Sequence, residues 1–380
     1  MLREISDEIQ RLIGEPDDEG TLVTITRTTG STYRREGAKM VCSRAGAVGS
    51  VSGGCLESDI ADLSLEVVEH DQPQIVSYDT SAENENVWGM GLGCNGTVEV
   101  LIEPLRWWRT QEGKTLFGEV MDRVNRGQRC AVVTLLKEGG EQLRSLRRLL
   151  VDPAGKTFGT LGSPALDTAA AQRARSILND EMVRPSRRIV LEHQSSPCEL
   201  FVDALMAAAH LIVAGGGHDA IPVVRMAREL GFRITLIDSR QSFATSERFP
   251  EADQVLCIQP EEFAQKVSFE GAPAVILMNH NYQKDRALLA QVLISPAEFT
   301  YIGALGPRAR TEQMLGELKQ DGVKLAPHKV EQVRTPIGLD LGADSPQEIA
   351  LAMLAEVLAV KNRRSGMALR DKKRAIHEAA

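Results

Sequence analysis

At 380 residues the chain is long enough for two or more domains. Its 43% hydrophobic and 25% charged residues are ordinary for a globular protein, and a net charge of −8 argues against a non-specific nucleic-acid surface. Six cysteines lack any C-x-x-C pair or zinc-type His/Cys spacing, which predicts reduced thiols in a cytoplasmic protein. The first residues form no leader-like apolar region, and the longest apolar run, 205–214, is interrupted by His210 and too short to span a bilayer.

The chain opens with an amphipathic helix on which Ile5, Ile9, Leu12 and Ile13 share a face. Strands are predicted at 22–26 and 39–43, with a turn at Ala45-Gly46. Residues 48–52 lead into Gly53-Gly54-Cys55. A helix follows, with Leu56, Ile60, Leu63, Val67 and Val68 at core spacing, then strands at 75–78 and 98–102. The loop Gly30–Met40 carries Arg34, Arg35 and Lys39 and is a candidate anion clamp or a solvated surface loop.

A similar order then recurs. Leu116, Val120 and Val124 follow Ile5, Ile9 and Ile13 at an offset of 111 (116 − 5), and a strand at 131–135 matches 22–26. Leu166, Ala170, Ala174 and Ile177 follow Leu56, Ile60, Ser64 and Val67 at an offset of 110 (166 − 56), and Glu199–Asp203 resembles Val98–Ile102. The pattern predicts one α/β domain over 1–205, built of halves at about 1–105 and 106–205. Gly53, Gly54 and Cys55 face Gly-Ser-Pro-Ala (162–165) in the second half, and Cys94 has no counterpart. Packing alone therefore does not require these cysteines. The glycines let N–H groups converge near Cys55, and a helix dipole there favours thiolate. Taken singly, each cysteine also reads as a small buried thiol. Trp107-Trp108 reads as interdomain packing.

A second domain is predicted over 206–362, followed by a basic tail at 363–380. Its signature is the run Leu211–Ala214, then Gly215, Gly217 and Ala220 in the pattern G-x-G-x-x-A, a helix closed by Gly231, and a strand ending at Asp238. Gly215 permits a tight turn, Gly217 lets backbone approach an anion, and Ala220 seats the helix. The helix N-terminus offers N–H groups to a phosphate, and Asp238 stands where an acid accepts from a ribose hydroxyl. Further strands are predicted at 274–278 and at Tyr301–Gly303, with a last strand-and-turn at Pro336–Gly342, and a capping box at Ser345-Pro346-Gln347-Glu348 starts a helix running to about Lys361. His218, His280, Asp285 and Arg308 sit at or near strand ends and form the candidate crevice lining; the histidines read equally well as structural. The class is α/β, with a doubly wound parallel sheet in the C-terminal domain.

These residues resemble the XdhC/CoxI family. The likeness is carried by Gly30-Ser31, Gly49–Glu57, Trp88–Cys94, Gly215–His218, Asn279-His280, Tyr301–Gly306 and Pro336–Asp340, and spans nearly the whole chain in order. The family is similar to accessory proteins of molybdenum hydroxylases such as xanthine dehydrogenase. The resemblance implies an N-terminal family domain with a Rossmann-like C-terminal domain. It also implies binding of molybdenum cofactor, sulfuration with a cysteine desulfurase, and delivery to the hydroxylase. The chain departs from the family pattern at Asn95 and Asn279, where glycine and threonine are usual.

The expectation drawn from this is a cofactor chaperone rather than a catalyst. Its phosphate site would lie at Gly215 and Gly217, and Cys55 and Cys94 would face the pterin–metal end. A homodimer is the base-rate expectation. The competing expectation is an NAD(P)-dependent oxidoreductase using the glycine turn and Asp238.

Overall fold

The computed structural model describes residues 2–15, 19–79, 96–180, 186–205 and 208–371. The chain divides into two compact units, Met1–Ala207 and Ala208–Ala380.

In the first unit, helix α1 (Leu2–Gly14) precedes strands β1 (Gly20–Gly30), β2 (Lys39–Ser43) and β3 (Gly46–Gly49). Helix α2 (Glu57–His70) and strands β4 (Gln74–Asp79) and β5 (Gly96–Pro104) complete the first half. The second half repeats the order as α3 (Gln111–Asn125), β6 (Cys130–Glu138), β7 (Glu141–Val151), β8 (Thr157–Thr160), α4 (Pro164–Asn179), β9 (Arg187–His193) and β10 (Ser196–Leu205). The two antiparallel sheets have the same strand order, β3-β2-β1-β5-β4 and β8-β7-β6-β10-β9.

The repeat extends to the side chains that bury themselves. Ile60, Ser64 and Val67 of α2 are buried, as are Ala170, Ala174 and Ile177 of α4, because both helices lay the same stripe on their sheets. The stripe of α1 (Ile5, Ile9, Leu12) is almost wholly buried, a contribution of about 2 kcal/mol per side chain. It shares one apolar cluster with Leu116, Val120 and Val124 of α3. Trp108 belongs to that cluster too, so the tryptophan pair packs within the first unit between its two halves, a correction to the interdomain expectation. The reason is position: Trp107-Trp108 lie in the connection between β5 and α3.

The halves differ in their loops. Sixteen residues separate β4 from β5 (96 − 79 − 1), whereas two separate β9 from β10 (196 − 193 − 1). The short turn is Gln194-Ser195, both at positive φ, as a tight hairpin demands. Cys94 falls in the longer connection and lies outside the described residues. Strand β7 carries no clean apolar alternation, because Arg144, Arg147 and Arg148 interrupt it.

In the second unit, β11 (His210–Ala214), α5 (Ala220–Glu229), β12 (Arg233–Asp238), β13 (Gln254–Cys257) and β14 (Ala274–Leu277) come first. Then follow α6 (Tyr282–Ile294), β15 (Tyr301–Ala304), α7 (Arg308–Gln320), β16 (Val333–Arg334) and α8 (Pro346–Lys361). All strands are parallel, in the order β13-β12-β11-β14-β15-β16, a Rossmann-like sheet. Every residue of β11 is buried. Its odd and even side chains feed separate cores, Leu211 and Val213 on one face and Ile212 and Ala214 on the other.

The last strand is not at 336–342. It is Val333–Arg334, and the chain then turns at a cis Thr335-Pro336 bond. Pro336 has no N–H to give a ladder, and the N–H groups of Gly338 and Leu339 are taken by Glu356 and Ala352 of α8. Helix α8 itself starts at the expected capping box of Ser345 and Glu348. No helix among the described residues is long and apolar enough to cross a membrane.

Candidate ligand-binding site

The sheet order reverses between β11 and β14, and the loops leaving these two strands meet at their carboxyl ends. Ligands of open α/β sheets bind at such a reversal. Gly215 stands at φ +122°, and a Cβ there would fall 2.4 Å from the Met278 carbonyl oxygen. Glycine is required because β14's exit runs directly against the turn. The N–H of Gly216 donates to Asp238 Oδ2 at 2.8 Å. The N–H groups of Gly217, His218 and Asp219 have no acceptor among the described residues, so three donors are left at the start of α5.

Gly217 has a reason that spacing did not reveal. A Cβ there would lie 2.4 Å from Asp219 Oδ1, so the turn folds around its own carboxylate. Oδ2 of the same Asp219 lies 2.6 Å from His280 Nε2. His280 leaves β14 at φ +52°, a left-handed conformation uncommon for a residue with a Cβ. The two loops are thus joined by an Asp–His pair at the reversal point. His280 remains largely exposed, with 63% of its side chain accessible. His218, next in the turn, is also exposed. An imidazole oriented by a carboxylate beside free N–H donors can exchange a proton with, or donate a hydrogen bond to, an anionic ligand. Asp219 fills an unconstrained position of the G-x-G-x-x-A pattern. Its position immediately after the G-x-G-H run is the one signal that could have found it.

Asp238 is built into the turn. It is buried, and its oxygens accept from Gly216 N–H, Arg240 N–H (2.8 Å) and two nitrogens of the Arg240 guanidinium (3.0 and 2.7 Å). Burial pushes its carboxyl up, but the bonds from Arg240 and Gly216 outweigh that and hold it below the usual range. Four hydrogen bonds fill its lone pairs, which leaves none for the ribose hydroxyl that its spacing suggested.

Asp285 is likewise buried rather than crevice-lining. Oδ1 accepts from the backbone and side-chain nitrogens of Asn279 (3.2 and 2.8 Å), and Oδ2 from Arg310 at 2.8 Å. It fixes the loop that carries His280. Asn279 is part of this brace. Arg308 is exposed, and Arg310, one half-turn further on, is the arginine that reaches inward. The difference arises because positions 308 and 310 lie on different faces of α7.

In the first unit, Cys55 is half-buried beside a core of Ile60, Val67 and Val100, and is a free thiol. The N–H groups that were expected to converge there do converge, but on a side chain. Glu57 accepts from the backbone of Val51 (3.3 Å), Ser52 (2.8 Å), Gly54 (3.1 Å) and Leu56 (3.2 Å) and from the Ser50 and Ser52 hydroxyls. Burial raises its carboxyl, and the bonds from Ser52, Ser50 and its own loop prevail to hold it low. The second half does the same with Asp167, which accepts from Thr160 Oγ1 (2.7 Å) and Leu161 N–H (2.6 Å). The acid is therefore a device of the repeated scaffold. Gly53 and Gly54 are exposed in the described loop, and Gly54 stands at φ +108°. Among the described residues, no group of three or more His, Cys, Asp or Glu side chains could hold a metal ion.

Comparison with known proteins agrees with this architecture. The model of the XdhC Rossmann domain matches residues 211–357. The model of the XdhC and CoxI family matches twice, at 15–79 and 123–186, one match in each half of the first unit. The chain is 29% identical over 350 residues to a Bacillus subtilis protein named as a probable xanthine dehydrogenase subunit, covering 92% of this chain and 95% of that one. It is 26% identical over 250 residues to an uncharacterized protein of Escherichia coli, covering 63% of this chain and 45% of that one. A crystal structure from Bacillus halodurans, described as a xanthine dehydrogenase, superposes with a TM-score of 0.72 at 28% identity. The match covers 95% of this chain and 98% of that one. With both family models matched in order over the two units that the fold displays, the chain belongs to the XdhC and CoxI family.

Proposed function

We propose that this protein is an accessory factor of a xanthine dehydrogenase-type molybdenum hydroxylase. In this reading it binds molybdenum cofactor, holds it while a cysteine desulfurase supplies sulfur, and passes it to the hydroxylase. It acts in the cytoplasm as a carrier rather than a catalyst, with a homodimer as its expected state. The observation that carries the reading is the set of three open N–H groups at Gly217, His218 and Asp219, at the sheet reversal of an XdhC Rossmann domain.

Those donors suit the terminal phosphate of a pyranopterin. The adjacent Asp219 carboxylate opposes an anion there, and its hydrogen bond with His280 Nε2 holds one of its oxygens. Gly215 and Gly217 shape the turn, and His280 is available to the ligand's polar edge. Cys55 offers a thiol of the kind that a soft metal–dithiolene group accepts. When bound, the cofactor would supply the molybdenum and dithiolene chemistry of the recipient enzyme; the protein's part is to hold and orient it.

The test is to express the chain in cells with intact cofactor synthesis, then assay purified protein for molybdenum and for oxidised pterin. Stoichiometric loading that falls in His280→Ala and Cys55→Ala supports the reading. Absence of both molybdenum and pterin from correctly folded wild type overturns it. Loading that is unchanged in Cys55→Ala removes the thiol from the proposal.

A further inference from the structure

We propose that the C-terminal domain also takes a nucleotide whose ribose carries a 2′-phosphate, recognised by Arg240 and Arg248 at the end of β12. In a Rossmann-type sheet the group beyond the second strand meets the ribose of a bound dinucleotide. An acid there reads a free 2′-hydroxyl, and an arginine accommodates a 2′-phosphate. Here the acid is closed off: Asp238 accepts four internal hydrogen bonds and is buried. What the strand end presents instead is basic.

The Arg240 guanidinium lies over Phe243, 3.7 Å from the ring centroid, and 42% of its side chain is accessible. It grips Asp238 through Nε and Nη2, which leaves Nη1 uncommitted. Arg248 lies 5.0 Å from the same ring centroid and donates from Nη2 to the Gly216 carbonyl at 3.3 Å. Arg248 has no carboxylate partner among the described residues, and its Nε is buried without a hydrogen-bond partner.

Two guanidiniums therefore share one aromatic ring beside the glycine turn, and among the described residues their one ion-pair partner is Asp238. This leaves forked N–H donors, Nη1 of Arg240 and Nε of Arg248 among them, at the place where a 2′-phosphate would sit. Guanidinium forks match phosphate oxygens in a bidentate way, and the exposed plane of Arg240 can carry an adenine.

This goes beyond the accessory role and does not depend on it. A dinucleotide's pyrophosphate would use the same N–H groups of Gly217 to Asp219, so nucleotide and molybdenum cofactor would exclude one another at the turn.

The experiment is calorimetric titration of the full chain, purified free of cofactor, with adenosine 2′,5′-bisphosphate and with 5′-AMP. The expected result is at least about tenfold tighter binding of the bisphosphate, a preference reduced to about threefold or less in Arg248→Gln and in Arg240→Ala. Arg248→Gln is the safer variant, because it strands no carboxylate, whereas Arg240→Ala loosens Asp238. Equal affinity for the two nucleotides in wild type, or a preference that survives both substitutions, overturns the proposal. If neither nucleotide binds while molybdenum and pterin loading is normal, the nucleotide site falls and the accessory role stands. Displacement of 2′,5′-bisphosphate by loading with molybdenum cofactor supports the shared turn.

Discussion

Lys39 in the first half of the N-terminal unit reaches Asp203 in the second, Nζ to Oδ2 at 2.7 Å, and Arg148 in the second half returns the contact to Glu103 in the first. The two pairs occupy equivalent places. Lys39 lies opposite Thr24 on β1, and Arg148 opposite Thr134 on β6, at an offset of 110 (134 − 24). Glu103 lies opposite Leu22, and Asp203 opposite Val132, at the same offset (132 − 22). The halves thus exchange buried ion pairs as the two copies in a twofold dimer would, around a cavity of about 50 Å³. Lys39, which the sequence places where a basic loop (an anion clamp or a solvated surface) runs into a strand, is a strut of this interface and only 6% exposed.

Breaking one strut should be costly. Lys39→Met leaves the Asp203 carboxylate buried with Ser186 Oγ (2.9 Å) as a remaining donor. The expected loss is about 3 kcal/mol, and the double variant Lys39→Met/Asp203→Leu should recover most of it, because paired removal strands no charge. Urea denaturation followed by a signal from Trp108 would measure both. A double variant no more stable than the single one would refute the account.

Acid should weaken the C-terminal unit through His210. Burial, then the nearby positive charge of Arg233, lowers this imidazole from 6.5 to about 4. Its Nε2 lies 2.9 Å from Thr235 Oγ1. The unfolded chain takes up the proton near pH 6.5, while the folded protein resists until about pH 4. The stability held by neutral His210 is therefore complete above pH 6.5 and declines as pH falls through that window. The gap between the two values corresponds to roughly 3 kcal/mol. His210→Gln should flatten the stability–pH slope of wild type between these limits; an unchanged slope would exclude His210 as its source.

Gly215 and Gly217 should respond differently to alanine. At Gly215 both the positive φ and the rigid Met278 carbonyl oppose a Cβ. Gly215→Ala should lower stability by more than about 1 kcal/mol. At Gly217 the obstacle is the Asp219 side chain, which can rotate. Gly217→Ala should keep most of its stability but separate Asp219 from His280. Thermal denaturation tests the first expectation, and the histidine NMR signal of His280 compared with that of Asp219→Ala tests the second.

Asp285→Asn should misplace His280 without touching it. The amide cannot accept from Asn279 and Arg310 together as the carboxylate does, so the exit of β14 loosens. The expected cost is about 2 kcal/mol, with faster amide exchange at Asn279 and His280. Full protection at both amides would show that the brace is not needed.

Much of this protein could be read from the order of its residues. Apolar spacing located α1, α2, α4 and β11, because a buried stripe leaves its period in the sequence. The recurrence of that spacing at 110 residues revealed the duplication, and Gly215, Gly217 and Ala220 announced the turn of a Rossmann-like sheet. Those features are local: backbone conformation and periodic burial are set by near neighbours. What residues meet across the fold was decided only in three dimensions. Asp238 and Asp285 look like ligand residues by position, yet Gly216 and Arg240 close over the first and Asn279 and Arg310 over the second. Asp219 and His280 are 61 positions apart and become a pair because β11 and β14 are adjacent in the sheet. Lys39 and Arg148 become interior groups because two halves close over them, and burying a charge is tolerated only where folding delivers its partner.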